Sequence, residues 1–168
     1  MWFLAPADLR AIALQELLDR RDCVVAYGEG EVRGAAAANL LFADYAVLRR
    51  DATLIVETPE AWAAVAWRLG RGALRWQVRG ARADEIVDEI TDAEPAAWRE
   101  EWMRGRSVMA LDSAAALIRM RGGDALERAE FARLFAIGEP QKGLGAFLAK
   151  VPPSYSLNPE RTDEPQRS

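Results

Sequence analysis

Tyr27 to Arg50 reads YGEGEVRGAAAANLLFADYAVLRR, and its punctuation decides the fold class. Gly28, Gly30 and Gly34 break its first third. The next eight residues, Ala35 to Phe42, hold four alanines and two leucines, a composition that favours helix and lets a second backbone approach closely. Immediately upstream, Cys23-Val24-Val25-Ala26-Tyr27 is a short apolar run bounded by charges and glycines, which fits a buried strand ending in a turn. Downstream, Tyr45 to Leu48 and Thr53 to Glu57 are rich in β-branched and aromatic residues and flank the turn-like Arg50-Asp51. Strand, turn, helix and strand in this order predict an α/β protein.

Composition narrows the chemistry. The 168 residues are 51% hydrophobic and 29% charged, an ordinary globular balance for one well-cored domain. A net charge of −4 offers no basic footprint for a nucleic-acid backbone, so nucleic acid is not an expected partner. The chain has no histidine and one cysteine, Cys23, which excludes Ser-His-Asp, Cys-His and histidine-ligated metal chemistry as well as an intramolecular disulfide. No metal site is expected. No apolar run reaches the length of a membrane span and the first residues, MWFLAPADLR, lack the pattern of a signal peptide, so the expected location is the cytoplasm with no membrane partner.

Working outward, Leu9, Ile12, Ala13 and Leu17 at helical spacing predict one amphipathic helix from Ala7 to Arg20. Thr58-Pro59-Glu60 is a helix start, with threonine able to cap, proline suited to the first position and glutamate matching the positive end of the dipole. That helix runs to about Leu69, before Gly70 and Gly72. Glu85 to Ile90 reads as a brief strand, and Pro95 opens a helix through Trp98 and Trp102. From Ser107 the pattern is helical throughout. Val108, Leu111, Ala115 and Ile118 form one stripe, and Asp124 caps a helix carrying Leu126, Phe131, Leu134, Phe135 and Ile137 around so much of its circumference that burial against more than one neighbour is expected. A last helix carries Leu144, Phe147 and Leu148 before Pro152-Pro153 stops it. The expected organisation is a single domain over 1–155 with a helical region at about 107–150, then a polar, disordered tail over 156–168. No internal repeat is visible.

Gly30-Glu31-Val32-Arg33-Gly34-Ala35-Ala36-Ala37-Ala38-Asn39-Leu40 with Ala43-Asp44-Tyr45, and Glu130 to Ala136 followed by Glu139 to Gly143 and Ala146 to Pro152, resemble in order two motifs of the crotonase superfamily, the enoyl-CoA hydratase/isomerase family. Trp67 to Leu74 and Gly80-Ala81-Arg82 are similar to the segment between them, with shorter connections. The resemblance covers about Asp19 to Tyr155. It implies a truncated crotonase-like spiral of β-β-α turns with a C-terminal helical region for trimerisation, and hence a homotrimer or a dimer of trimers. It also implies a member shortened at the N-terminus, where the family builds much of its CoA surface and one of two oxyanion amides.

By the same resemblance, Ala35 matches the position of the other oxyanion amide, a main-chain donor suited to a helix N-terminus. The plainer reading is that Gly34 and the alanines only permit tight packing. Hydratases of this kind use two glutamates, because syn addition of water needs two proton transfers at adjacent carbons. Ala38 stands at the first glutamate's position. Glu57 and Glu60 are the nearest acids to the second, whereas as sequence Glu57 simply ends a strand and Glu60 starts a helix. Glu29 and Glu31 flank the glycine turn, where charges are usually solvated. Phe131 and Lys150 match positions that contact the CoA adenine and phosphate, against the plainer readings of a core aromatic and a helix-terminal cation. The resemblance therefore implies an acyl-CoA-linked protein with reduced or altered catalysis and no bound cofactor beyond a CoA thioester as possible ligand. The alternative is a non-catalytic assembly or regulatory subunit.

Overall fold

In the computed structural model, which describes residues 1–73, 83–119 and 123–155, the apolar run becomes strand β2 (Val24–Gly28), buried at all five residues. It lies inside a four-stranded parallel sheet with β1 (Trp2–Leu4), β4 (Tyr45–Arg49) and β6 (Glu89–Thr91), in the order β1-β2-β4-β6. A second, two-stranded parallel sheet pairs β3 (Glu31–Val32) with β5 (Thr53–Leu54). Each step along the chain therefore delivers one strand to each sheet and then a helix: β2, β3 and α3 (Gly34–Phe42), then β4, β5 and α4 (Pro59–Leu69). A parallel partner cannot be reached by a tight hairpin, and the helices supply the crossovers.

The strands alternate between two environments. Leu4, Val24, Ala26, Ala46 and Leu48 join a core with residues of α3 and α4, among them Ala37, Leu40, Leu41, Ala61, Ala64 and Val65. On the opposite face Phe3, Tyr27 and Tyr45 pack against Trp98 of α5 (Pro95–Met103), with ring centroids 6.1–6.2 Å apart. The Trp98 indole donates to Glu89 at 2.8 Å and the Tyr27 hydroxyl donates to the carbonyl of Ala93 at 2.5 Å, so the polar ends of these two rings keep partners inside the stack.

Thr58 caps α4 as its sequence predicts, accepting the Ala61 N–H at 3.2 Å with proline next in line. The expected helix over Ala7 to Arg20 is instead two pieces, α1 (Asp8–Ala11) and α2 (Leu14–Leu18), with extended backbone at Ile12 and Ala13. Asn39 supplies the reason: its buried amide donates to the carbonyls of Leu9 at 2.9 Å and Ile12 at 3.1 Å, replacing helical partners with a tertiary one. Strand β1 was too short for any alternation to announce it. The strand expected at Glu85 to Ile90 forms only at Glu89–Thr91, after a 3-10 turn at Ala83–Glu85. Part of the intervening similarity, Leu74 and Gly80 to Arg82, lies outside the described residues, as does the tail over 156–168.

The chain divides into two compact units, Trp2–Arg99 and Glu100–Ser168 together with Met1. In the second, α6 (Val108–Arg119), α7 (Asp124–Ala136) and α8 (Glu139–Ala149) follow one another. Ser107 caps α6 through its hydroxyl, which accepts the Ala110 N–H at 3.1 Å and donates to the buried Glu139 of α8. Two expectations fail here. Ile118, at the end of the expected apolar stripe, is exposed, and the residue preceding α7 is Gly123, with Asp124 already in the first helical turn rather than at the cap position. Among the described residues helix α7 has none fully buried: Leu126 and Leu134 are half-buried, while Phe131, Phe135 and Ile137 just beyond its end stay exposed, so the burial expected on more than one side is only partly met.

Candidate functional site

The start of α3 is shaped by two residues. Arg33 is extended at φ −140° and ψ 170°, and Gly34 takes φ +57°, a left-handed conformation that a side chain would strain. The first bond into the helix runs from the Ala37 N–H to the Arg33 carbonyl at 3.4 Å, so the N–H groups of Gly34, Ala35 and Ala36 open the helix ahead of any i−4 acceptor. Ala35 is exposed and Gly34 half-buried. Ala36, Ala37 and Ala38 are 6%, 0% and 1% exposed and belong to the core, where their small size permits the close approach of α3 to α4. The position where a catalytic glutamate was expected thus faces packed side chains.

Glu57 lies at this helix start and Glu60 does not. The Arg33 guanidinium forks onto the Glu57 carboxylate, Nε to Oε1 and Nη2 to Oε2, both at 2.9 Å, and Nη1 reaches Glu31 at 3.2 Å. The hydrogen bonds donated by Arg33 hold the Glu57 carboxyl below the ordinary range, and acceptance of those bonds by Glu57 and then Glu31 raises the guanidinium further. Glu60 sits exposed in the first turn of α4, where it complements the helix dipole. Glu29 is 3.8 Å from Arg49, which also holds Asp51 and Glu94 at 3.0 Å, so it belongs to a separate charge cluster.

Arg33 is the residue that sequence reasoning missed. The signal lies in the parallel register: Glu31 pairs with Thr53 and Val32 with Leu54, and the Ile55 N–H then donates to the Val32 carbonyl at 2.9 Å. Residues following β5 therefore run beside those following β3, which brings Glu57 to Arg33.

In the helical unit Phe131 is 62% exposed and packs on Phe135 with centroids 4.6 Å apart, not in a core. Lys150 is exposed and ends α8 in a left-handed conformation at φ 56°. An open groove of about 350 Å³ is lined by Met109, Asp112, Ser113, Ala116, Glu130 and Arg133. Its polar groups are engaged: Arg133 contacts Glu130 at 2.9 Å and Ser113 at 2.7 Å, Ser113 donates to Glu130 at 3.0 Å, and Asp112 accepts from the Met1 amino group at 3.0 Å. Among the described residues no group of three or more metal-ligating side chains is gathered, and no helix is long and apolar enough to cross a membrane.

No family model matches the sequence, and no curated protein matches it. Solved structures do. An enoyl-CoA hydratase from Polaromonas sp. JS666 superposes with a TM-score of 0.62 at 21% identity, covering 89% of this chain and 71% of that one. An enoyl-CoA hydratase/isomerase family protein from Hyphomonas neptunium gives 0.62 at 20% identity, covering 87% and 65%. An enoyl-CoA hydratase/carnithine racemase from Magnetospirillum magneticum gives 0.61 at 21%, covering 90% and 71%. The class these similarities define is the crotonase fold. This chain has that fold in an abbreviated form, spanning between 65% and 71% of the length of those three structures.

Proposed function

We propose that this chain is an enoyl-CoA hydratase/isomerase-family protein that binds an acyl-CoA thioester at the start of α3 and has altered catalysis, moving a proton rather than adding water. The observation that carries this reading is the pairing of a core-facing Ala38 with Glu57, the carboxylate whose two oxygens are both held by Arg33 at the helix start, Glu31 meeting that guanidinium through one oxygen. Water addition needs two carboxylates. Proton abstraction beside a thioester carbonyl needs one base and a group that accepts the developing oxyanion. The first-turn N–H groups of α3, Ala35 among them, suit the second task because they point along the positive end of the helix dipole. Phe131 and Lys150 of the helical unit are the proposed contacts for the nucleotide end of a CoA held by a neighbouring subunit, and the exposure of both supports that role.

Calorimetric titration with crotonyl-CoA, butyryl-CoA and free CoA, run beside a hydration assay, tests the proposal. Binding of the thioesters with little or no hydration is expected. No heat of binding up to millimolar thioester would overturn it.

A second reading is favoured by a different observation. Phe131, Leu144, Phe147 and Leu148 are 62%, 59%, 78% and 71% exposed, an apolar surface that suits a subunit contact. In that reading the chain is a non-catalytic assembly or regulatory subunit, and the oligomer is a homotrimer or a dimer of trimers.

A further inference from the structure

Resting on the proton-transfer reading above, we infer that Arg33 is a positioning residue, whose guanidinium fork holds the Glu57 carboxylate at the start of α3 as the base of the reaction. Three observations lead there. Both carboxylate oxygens of Glu57 are bound, each at 2.9 Å, by two different nitrogens of one planar group, which fixes the carboxylate's plane as well as its place. Arg33 is also the residue preceding α3, so its backbone sets the helix start while its side chain sets the acid, and one residue couples the two halves of the site. Finally, the fork joins consecutive turns of the spiral, from the end of β3 to the segment after β5, so that Glu57 does not depend on its own loop for its position.

The charged groups facing Glu57 are few. Arg33 contacts it directly, and Glu31 shares the guanidinium from β3 at 3.2 Å. From α1, Arg10 donates to the Glu31 carbonyl at 3.4 Å. On α4 the nearest acid in sequence, Glu60, lies in the first helical turn. A lysine in place of Arg33 offers a point charge without the fork, and glutamine offers neither.

The step is a proton transfer that balances by itself. The α-carbon–hydrogen bond of the acyl group breaks, its electron pair moves into the thioester as an enolate, and the proton passes to a Glu57 oxygen. The same proton, or one exchanged with solvent, then returns to carbon as the enolate collapses. No oxidant, reductant or second substrate enters.

Butyryl-CoA in deuterated water is the probe, with α-proton exchange followed by NMR across pH and binding followed by calorimetry. In the unaltered protein, exchange is expected to persist to acidic pH. Glu57→Gln should lower it by about 100-fold or more, the usual worth of a positioned base. Arg33→Gln should move the acidic limb of the exchange profile upward and leave butyryl-CoA affinity unchanged, and Arg33→Lys should restore part of the profile. A merely structural Arg33 would instead lower exchange equally at every pH, and that result, or an unmoved acidic limb, overturns the inference. Binding without exchange in the unaltered protein also overturns it and leaves acyl-CoA binding standing. Absence of binding removes the reading beneath it.

Discussion

The carboxylate of Asp44 accepts the backbone N–H of Val24 at 2.7 Å, and the N–H of Asp44 donates to the carbonyl of the same valine at 2.9 Å. One spiral turn later Asp88 repeats the arrangement on Ala46, at 2.7 and 2.8 Å. Each aspartate thus extends a parallel ladder by one step with its side chain, just before its own strand begins. Because Val24 is fully buried, Asp44→Ala strands its N–H away from water and should cost about 1–3 kcal/mol, with Asp44→Asn losing less because an acceptor remains. Asp88→Ala should cost more, roughly 3–5 kcal/mol, because Asp88 also partners Arg68 at 2.9 Å, whose side chain is only 9% exposed. Urea unfolding followed by circular dichroism measures both. An Asp44→Ala variant as stable as the parent would refute the account.

These two aspartates also mark the limit of what could be read beforehand. The β-β-α turn around α3 was legible because glycine punctuation, an alanine-rich run and flanking apolar strands agreed locally. The structural repeat was not, since its carrier is a single aspartate in each turn, surrounded by unrelated residues. Helix α1–α2 was misread because Leu9, Ile12 and Leu17 have helical spacing, while the break is imposed by Asn39, roughly thirty residues away in sequence. For the proposed site, the family resemblance points to Ala35, Ala38, Glu57 and Glu60 alike. That Glu57 is clasped and Glu60 is not depends on the β3–β5 register, which no single segment contains.

Gly28 ends β2 in a space with no slack. A Cβ there would lie 3.0 Å from Val32 Cγ2 and 3.2 Å from both Leu40 Cδ2 and Leu48 Cδ1. All three neighbours are themselves buried, so relief requires the core between sheet and α3 to shift. Gly28→Ala should destabilise the protein by about 1–3 kcal/mol, the usual cost of overpacking. A thermal melt reads the change directly, and an unchanged midpoint would mean that these side chains yield freely.

Ala38→Glu tests whether the missing hydratase carboxylate can simply be restored. The residue is 1% exposed in the core shared by α3 and α4, so an unpaired carboxylate there meets low dielectric and no donor. The expected outcome is a loss of several kcal/mol, seen as a lowered melting temperature, with no gain in hydration of crotonyl-CoA. Hydratase activity in a well-folded Ala38→Glu protein would show that the side chain reaches a substrate.

Glu139 gives the helical unit a pH dependence of known sign. Burial raises its carboxyl, but the hydrogen bonds from Lys142 and Ser107 outweigh that and leave it lowered. A carboxyl lowered on folding contributes stability that is fully present above its unfolded value, near the ordinary glutamate range, and is lost as pH falls through the folded one. Glu130, lowered first by Arg133 and then by Ser113, acts in the same direction. The unit should therefore weaken on acidification below the ordinary carboxylate range. Glu139→Gln should flatten part of that loss, as measured by urea midpoints at several acidic pH values. An equally steep loss in the variant would assign the dependence elsewhere.

The apolar surface of the helical unit leads to a prediction about mass. On α8, Leu144, Phe147 and Leu148 stand at i, i+3 and i+4, one face of a helix, and all three are more than half exposed. Phe131 and Phe135 of α7 add a paired aromatic surface at 62% and 43% exposure. A monomer would leave these rings in water at about 25 cal/mol for each square ångström of apolar surface that an interface would cover. Light scattering of the parent protein should accordingly return a multiple of 18.6 kDa, three or six under the proposed trimer or dimer of trimers. The double substitution Phe147→Asp with Leu148→Asp places two like charges at the centre of that face, where desolvation without a partner is costly. It should reduce the mass to that of one chain while leaving the far-UV circular dichroism unchanged, because neither side chain is buried within its own chain. A monomeric parent would remove the interface, and an oligomeric double variant would move it to another surface.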